Sequence, residues 1–336
     1  MPDPFTVELL PVDWTDEQVA DLNAFENTVA AELDPEIAAR PVGVTRAHRD
    51  LREDPWHVWI ARAADGAVIG SAWADAPRAN NTHLVFTLIS VRADARRQGV
   101  GRALLRSVAT FTRTLGRNTL ILGCDQRNAA AEAFAASLGA ALAFEGHVNR
   151  LQIAEVNVAE MQRWVDASHP DYAIEWVPDG GYGDEWLEDM ARLRDVLNND
   201  APMGDLPVDH RTTSLDELRA DDRRSIAYGN LRWTVIARHV PSGEPVGYTE
   251  VTTTDRDRGL VFQGATAVDG KHRGHALGRQ LKAAMFLRIV RDRPDAEYIR
   301  TFNADSNEPM LAVNRAMGFA PYIAGVRWTI DPETVT

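Results

Sequence analysis

The chain has almost no cysteine, since its 336 residues include only Cys124. A single cysteine forms no disulfide within the chain and supplies no cysteine-based zinc site. Cys124 ends an apolar run at 119–124, so we interpret it as a buried strand thiol rather than a nucleophile. Such a chain fits a reducing compartment, and we expect it to be cytoplasmic.

Long apolar runs and an excess of positive charge are also absent. No apolar run has the length of a membrane span, and the acidic start at 1–4 lacks the apolar core of a leader peptide. The net charge of −13 disfavours a nucleic-acid partner, because a protein that binds nucleic acid presents a basic face. The Asp and His residues match no metal-ligand spacing, so we expect no bound metal. What remains is an ordinary globular composition, with a length that favours two domains.

A short basic motif occurs twice, as RRQGVG at 96–101 and KHRGHA at 271–276. Both copies lie between an apolar strand-like run and a helix-like run. Landmarks around them are separated by nearly constant offsets: 175 residues between the motif glycines Gly99 and Gly274, and 177 between Gly70 and Gly247. The repeat predicts two tandem domains at 1–154 and 172–336, joined by a linker at 155–171.

Each copy has the same expected order of elements. A strand and a helix come first, followed by three antiparallel strands, the motif, a helix, a strand, a helix and a closing segment. The long strand before the motif is expected at 83–91 in the first copy and at 260–268 in the second. Residues 141–153 are expected to form a closing hairpin of the first copy. This order predicts an α/β protein with a mixed sheet in each copy.

The motif has a clear chemical use. The start of a helix has unpaired backbone N–H groups and a partial positive charge, so phosphate binds there readily. A Rossmann dinucleotide site would share this feature. That alternative fails because the preceding strand belongs to a hairpin, and because Leu104 occupies the position of the third glycine.

The order of elements resembles that of the GNAT family of acetyl-CoA-dependent N-acetyltransferases. The resemblance depends on Arg96-x-x-Gly99-x-Gly101 and Lys271-x-x-Gly274-x-Ala276, and on a second-copy helix that ends in Met317-Gly318-Phe319. Through His272-Arg273-Gly274-His275 and the run NRAMGF at 314–319, the second copy is similar to the C-terminal half of tandem GNAT proteins of actinobacterial type. The resemblance implies that acetyl-CoA binds with its diphosphate on the turn and its pantetheine arm along the end of the long strand. The implied cofactor-binding residues are Val91, Arg96, Arg97, Gln98, Gly99, Val100, Gly101, Val268, Lys271, Arg273, Gly274, His275, Ala276, Asn303 and Asn307.

The two copies differ in the polar residues of their strands. The long strand of the first copy offers only hydroxyl groups, whereas the second copy has Glu250 and Gln263. We therefore predict that the second copy is catalytic, with Glu250 as the base that takes a proton from the amine. Family members often use a tyrosine to protonate the thiolate. Asn314 occupies that position here, which leaves Asn314 or a water molecule as the candidate.

The acceptor is the least constrained part of the prediction. Asp200, Asp205 and Gln263 are the candidate acceptor-binding residues, since the loop after the first helix of this fold often lines that site. We expect direct attack by an amine, most simply of a small molecule, in a monomer or homodimer. Two alternatives stay open: a non-catalytic acyl-CoA-binding sensor or scaffold, and an enzyme that acetylates proteins.

Overall fold

The structure is a computed structural model that describes residues 4–11, 13–51, 56–167 and 169–336. Residues 1–3, which contribute to the prediction that no leader is present, lie outside this range. The chain divides into two compact units. The first unit comprises residues up to Glu145 together with Gly204–Asp209 and Ala324–Thr336, and the second comprises Gly146–Met203 and His210–Ile323. Within the described residues, no helix is both long and apolar enough to cross a membrane.

Both halves of the chain contain strands and helices. The strands are β1 (Phe5–Leu9), β2 (Trp56–Ala63), β3 (Val68–Asp75), β4 (Leu84–Val91), β5 (Thr119–Cys124), β6 (Ala141–Gln152), β7 (Tyr172–Val177), β8 (Asn230–His239), β9 (Glu244–Thr254), β10 (Leu260–Val268), β11 (Tyr298–Ala304) and β12 (Ala320–Ile330). The helices are α1 (Asp16–Leu33), α2 (Val42–Asp50), α3 (Val100–Thr114), α4 (Ala129–Ser137), α5 (Val158–Asp166), α6 (Leu187–Asp200), α7 (Leu215–Ala227), α8 (Leu277–Asp292) and α9 (Glu308–Met317).

The first unit is built on a mixed sheet with the strand order β1-β2-β3-β4-β5-β12. Among its described strands, only β4 and β5 run parallel, because the connection between them is the crossover helix α3. The apolar face of α3, which includes the fully buried Leu104, Leu105 and Val108, packs on one side of the sheet. On α1, Val19, Leu22 and Phe25 form a second core with Ile60 of β2.

The second unit repeats this plan with the order β6-β11-β10-β9-β8-β7, in which β10 and β11 are the parallel pair. Helix α8 takes the place of α3, and its Leu281 and Phe286 are fully buried. Helix α6 packs on β9 and β10 through Met190 and Leu193, in a separate apolar cluster that includes Tyr182 and Tyr248. This α6 face of the sheet carries the polar groups described below.

The closing strands differ from the sequence prediction. Residues 141–152 form one strand rather than a hairpin, and this strand pairs with β11 of the second unit. The last strand, β12, pairs with β5 of the first unit. The compact units are therefore composed differently from the predicted domains. The predicted linker contains α5, which packs on α8 and accepts a hydrogen bond from Gln280 Nε2 at the carbonyl of Val165 (3.1 Å).

Candidate cofactor and acceptor sites

The turn of the first unit connects β4 to α3. A short 3-10 helix (Ala93–Ala95) precedes it, and α3 begins after Gly99, whose φ of 89° is left-handed. In the part of the chain that the structure describes, the amides of 97–102 donate to no protein acceptor. Five of these amides belong to the predicted residues Arg97, Gln98, Gly99, Val100 and Gly101. They form a concave set of N–H donors at a helix N-terminus, which is the geometry that binds phosphate.

The turn of the second unit has the same construction, but with a register that differs from the predicted one. Its 3-10 helix is Gly270–His272, and Ala276, with a φ of 57°, is the residue after which α8 begins. Arg96 Nε donates to the carbonyl of Val91 (3.0 Å), and Arg273 Nε donates to that of Val268 (3.1 Å). Arg96 therefore corresponds to Arg273 rather than to Lys271, an offset of 177 residues.

In this alignment, the free backbone N–H groups of the two turns occupy equivalent positions. Gly99 corresponds to Ala276 and Gly101 to Gly278, while the left-handed Gly274 corresponds to Arg97, which has a φ of 65°. The amides of 274–279, which include that of His275, likewise have no protein acceptor among the described residues. The second motif is therefore RGHALG at 273–278, with Lys271 in the preceding 3-10 helix. Alanine can adopt the left-handed conformation at a modest energetic cost. An alignment of the two motifs by their glycines alone therefore gives the wrong register.

The equivalent arginines Arg96 and Arg273 each pair with a carboxylate from a preceding helix, α1 and α6 respectively. Arg96 pairs with Glu32 at 2.7 Å, and Arg273 pairs with Asp200 at 2.8 Å. Asp200, a predicted acceptor ligand, thus lies beside the phosphate turn and is already paired. Asp205 belongs to the first unit, where its amide donates to the carbonyl of Ala143 (2.8 Å). Neither aspartate is among the residues that surround Glu250.

Aromatic and imidazole rings surround the second turn. Tyr172 of β7 lies with its hydroxyl 3.0 Å from His272 Nδ1, and its ring centroid is 5.3 Å from that of His275. His239 and His169 contact the same tyrosine ring. His275 therefore contributes both a free amide and a ring that packs against Tyr172 and His169.

The parallel strands separate close to each turn. Pairing of β4 with β5 ends at Leu88 and Gly123, so the last residues of β4, up to Val91, pair only with β3. Pairing of β10 with β11 ends at Gln263 and Thr301. The turn-side ends of β4 and β10 therefore offer free strand edges, where an extended, amide-rich pantetheine chain can add as a further strand. The turns and strand edges together fit coenzyme A.

A β-bulge distinguishes the second unit from the first. The register of β10 against β9 shifts between Gln263 and Thr266, so Gly264 and Ala265 have no partner on β9. They have none on β11 either, because that pairing ends at Gln263. In the first unit, β3 and β4 pair without a shift through Val91. Bulges locally expose and redirect the backbone, and they are common beside active sites.

Glu250 lies directly over this bulge. A Cβ added to Gly264 would lie 3.4 Å from Glu250 Oε1. The Glu250 side chain is 12% exposed and accepts a hydrogen bond from the Tyr182 hydroxyl at 2.7 Å. Its nearest cation is Arg194 of α6, with a closest N–O distance of 3.7 Å. The predicted base is therefore a largely buried carboxylate beside the irregular part of the strand.

Two tyrosines and a glutamine complete the surroundings of Glu250. Burial, followed by the Glu250 charge, raises the pKa of both Tyr182 and Tyr248 well above the usual value, so both hydroxyls stay protonated. Gln263, the third predicted acceptor ligand, is buried. Its Nε2 donates to Thr249 Oγ1 (2.8 Å) and to the Glu250 carbonyl (2.9 Å), which holds the backbone of Glu250.

The predicted asparagines meet on the other side of β10. Asn314 is 1% exposed, and its Nδ2 donates to Asn303 Oδ1 at 2.7 Å. Asn307 caps α9 by accepting from the amide of Met310 (3.4 Å). A carboxamide has no proton that it releases at neutral pH, and Asn314 Nδ2 already donates one hydrogen bond to Asn303. The structure thus brings Asn303 and Asn314 together, with Asn307 at the adjacent helix start.

Sequence reasoning missed Tyr182, Arg194 and Asp222 as parts of this site. Tyr182 precedes Glu250 by 68 residues and comes from the loop after β7. Its amide donates to Asp222 of α7, and Arg232 of β8 pairs with the same carboxylate. Helix α7 has few apolar residues, and its only clear signal is Ser214 followed by Glu217, whose amide bonds to the serine hydroxyl (3.1 Å).

Comparisons with known proteins agree with this geometry. Residues 14–140 match the model of the acetyltransferase (GNAT) family. The whole chain is similar to a tandem GNAT protein from the clavulanic acid biosynthesis pathway, with 25% identity, a TM-score of 0.79, and coverage of 97% of this chain and 99% of that one. Among the curated proteins, none matches the chain in sequence.

Two more distant structures share the fold. A GCN5-related N-acetyltransferase from Sphaerobacter thermophilus has 14% identity and a TM-score of 0.67, covering 99% of this chain and 97% of its own. The N-myristoyltransferase of Saccharomyces cerevisiae has 8% identity and a TM-score of 0.62, covering 98% of this chain and 81% of its own. At these identities the similarity concerns the fold alone.

Proposed function

Because the chain belongs to the GNAT family of acyltransferases, we propose that it transfers an acetyl group from acetyl-CoA to the amine of a small molecule, and that transfer takes place in the second unit. The observation that carries this proposal is the bulge at Gly264 and Ala265 with the Glu250 carboxylate lying over it. In the first unit, Trp73 takes the position of Glu250 and the corresponding strand is regular.

The free backbone N–H groups of the second turn indicate which residues would hold acetyl-CoA in the second unit. The amides of 274–279 would bind the diphosphate, with Lys271 and Arg273 adding positive charge. Val268 at the end of β10 would border the pantetheine arm. When bound, the cofactor supplies an activated acetyl group, which passes to the amine nitrogen as a C–N bond forms and the C–S bond breaks.

Glu250 would remove the proton that the amine nitrogen must lose. A base contributes typically 10²- to 10⁴-fold when it is held within hydrogen-bond reach of that proton. The hydrogen bond from Tyr182 fixes the position of the carboxylate, and Gln263 fixes its backbone. Since Asn314 is buried and engaged, we assign it a positioning role toward Asn303, and the departing thiolate would take its proton from water.

Loss of the carboxylate tests this assignment. We expect Glu250→Gln to lower acceptor-dependent release of coenzyme A about 100-fold or more, with cofactor affinity unchanged. Glu244→Gln is the matched control, because Glu244 lies on the same strand but is solvent-exposed and pairs with Arg192. Equal turnover by the Glu250→Gln enzyme and the control would remove Glu250 from the reaction.

One observation favours a second function, a non-catalytic acyl-CoA-binding sensor or scaffold. The family often has a tyrosine as the proton donor, and in the two copies Ala135 and Asn314 occupy that position. Asn314 also donates a hydrogen bond to Asn303. Acceptor-dependent release of coenzyme A with any member of an amine panel would reject this alternative. The cytoplasmic location also stays a proposal, which rests on the single cysteine.

A further inference from the structure

We propose that the acceptor of the second unit is an α-amino acid, bound as a zwitterion with its ammonium group on Glu250 and its carboxylate on Arg194. This inference rests on the proposed function, because it places the acceptor at the same bulge. Arg194 extends from α6 toward β9, where Glu250 lies. No feature of the amino-acid sequence signals this pairing.

The pair formed by Arg194 and Glu250 is loose. Its closest N–O distance is 3.7 Å, and the other carboxylate near Arg194, Asp221, lies at 4.0 Å. Close charge-assisted hydrogen bonds between such groups measure about 2.7–2.9 Å. Arg194 Nε is also buried without a hydrogen-bond partner in the described part of the chain. The guanidinium therefore has capacity for a further acceptor.

Tyr248 provides an independent sign of a missing partner. It shares the α6 face of β9 with Glu250, two residues away, and is 0% exposed. Its hydroxyl is buried and makes no hydrogen bond within the residues that the structure describes. Buried hydroxyls are nearly always bonded, since leaving one unpaired is costly. Because this hydroxyl stays protonated, a ligand carboxylate held by Arg194 is a suitable acceptor for it.

The charges around the site select a ligand with no net charge. Six ionised groups at or beside Glu250 form three opposite pairs, whose formal charges cancel: Arg194 with Glu250, Arg224 with Asp221, and Arg232 with Asp222. A simple amine would leave one buried positive charge in excess, and a simple carboxylate one negative charge. A zwitterion adds neither, and desolvating it there costs least because both of its charges find partners.

The α-amino acid geometry also fits the chemistry of transfer. Its amine and carboxylate are attached to one carbon, so the molecule can insert between two opposite charges that already lie close together. The substrate carboxylate then replaces Glu250 as the partner of Arg194. Glu250 is left facing the ammonium group, from which it must take a proton before the nitrogen can attack.

Acceptors that differ only in the carboxylate test the inference. Amino acids are compared with their amino-acid amides, both for binding to the coenzyme A-loaded protein by calorimetry and for thiol release with acetyl-CoA. We expect the wild-type protein to favour the acids about tenfold or more, the worth of one charge-assisted contact. Arg194→Gln should abolish this preference, and Tyr248→Phe should reduce it. Arg192→Gln, an exposed arginine of the same helix, should retain it.

The acid-to-amide ratio is measured on a single preparation, so incomplete folding of a variant does not change it. Equal binding of acids and amides, or a preference that survives Arg194→Gln, would overturn the inference even if amines are acetylated. A preference in binding that Arg194→Gln removes, without any transfer, would support the inference and reject the proposed function. If neither the acids nor the amides bind or react, the inference is rejected, and the panel of other amines then decides the proposed function.

Discussion

Gly99 and Ala276 occupy the same position in the two units, although only Ala276 carries a side chain. Each precedes the helix that follows the phosphate turn, and each has a left-handed backbone, with φ values of 89° and 57°. An L-residue with a Cβ costs roughly 1–2 kcal/mol in this conformation. At this one position the second unit therefore holds a small amount of backbone strain that the first unit avoids with glycine, whereas Arg97 is the left-handed residue with a side chain in the first turn.

We predict opposite effects on stability when the two residues are exchanged. A Cβ at Gly99 meets no atom within 4 Å, so Gly99→Ala should cost about 1 kcal/mol through backbone strain alone. Ala276→Gly should stabilise the protein by up to about 1 kcal/mol, reduced by the greater flexibility of glycine in the unfolded chain. Denaturant midpoints of both variants measure this. Equal destabilisation by the two changes would contradict the account.

Gly264 gives a prediction for catalysis. A Cβ there would lie 3.2 Å from Glu250 Cγ, so Gly264→Ala should displace the carboxylate and lower turnover about tenfold or more, with cofactor binding unchanged. The nearest contact of a Cβ at Gly259 would be 3.9 Å, which makes Gly259→Ala the matched control. Steady-state kinetics distinguish them, and full activity in Gly264→Ala would show that the bulge is not part of the site.

Phe134 gives a prediction for cofactor stoichiometry. A Cβ on Gly101 would lie 3.6 Å from the Phe134 ring, so this ring covers the first turn of α3, whereas Gly278 has no atom within that reach. We expect calorimetry to find a tighter coenzyme A site in the second unit and a weaker one in the first. Phe134→Ala should strengthen the weaker site. No change in either site would show that the ring does not obstruct binding.

Lys282 gives a prediction for pH dependence. It is fully buried on α8, and desolvation lowers its pKa to about 7, from 10.5. Since its pKa is lower in the folded than in the unfolded state, the unfolded chain binds more protons between about pH 7 and 10.5, and stability should rise with pH across that window.

Substitution of this lysine isolates the effect. Lys282→Met should stabilise the protein most below about pH 7, and the gain should shrink as the pH rises toward 10. Leu105→Met at the corresponding position of α3 is the control, because it changes packing without removing a charge. Unfolding midpoints across this pH range test the prediction. A gain from Lys282→Met that does not vary with pH would contradict it.

Much of the fold can be predicted from the sequence. The bounds of β5 and β10 agree with the predicted runs at 119–124 and 260–268, because apolar residues and turn residues mark them clearly. The exchange of closing strands cannot be predicted in this way. The sequences of β6 and β12 each predict a closing strand, but they do not determine the sheet with which each strand pairs.

The candidate site is only partly visible in the sequence. Glu250 stands out as a carboxylate on an otherwise apolar strand, and the RRQGVG motif indicates the phosphate turn. Its partners do not stand out, because Tyr182 and Arg194 lie in a loop and a helix remote in sequence from Glu250. The predicted register of the second turn is wrong because the two motifs were matched by their glycines, whereas Ala276 has the left-handed conformation before α8.

The most direct test disables one turn at a time. Asp placed at Gly278 or at Gly101 repels the diphosphate, while it is favourable for the helix start itself. Acceptor-dependent release of coenzyme A is then measured for both variants. The account predicts that Gly278→Asp abolishes release and Gly101→Asp retains it. Release that survives Gly278→Asp but is lost in Gly101→Asp would contradict the assignment of transfer to the second unit.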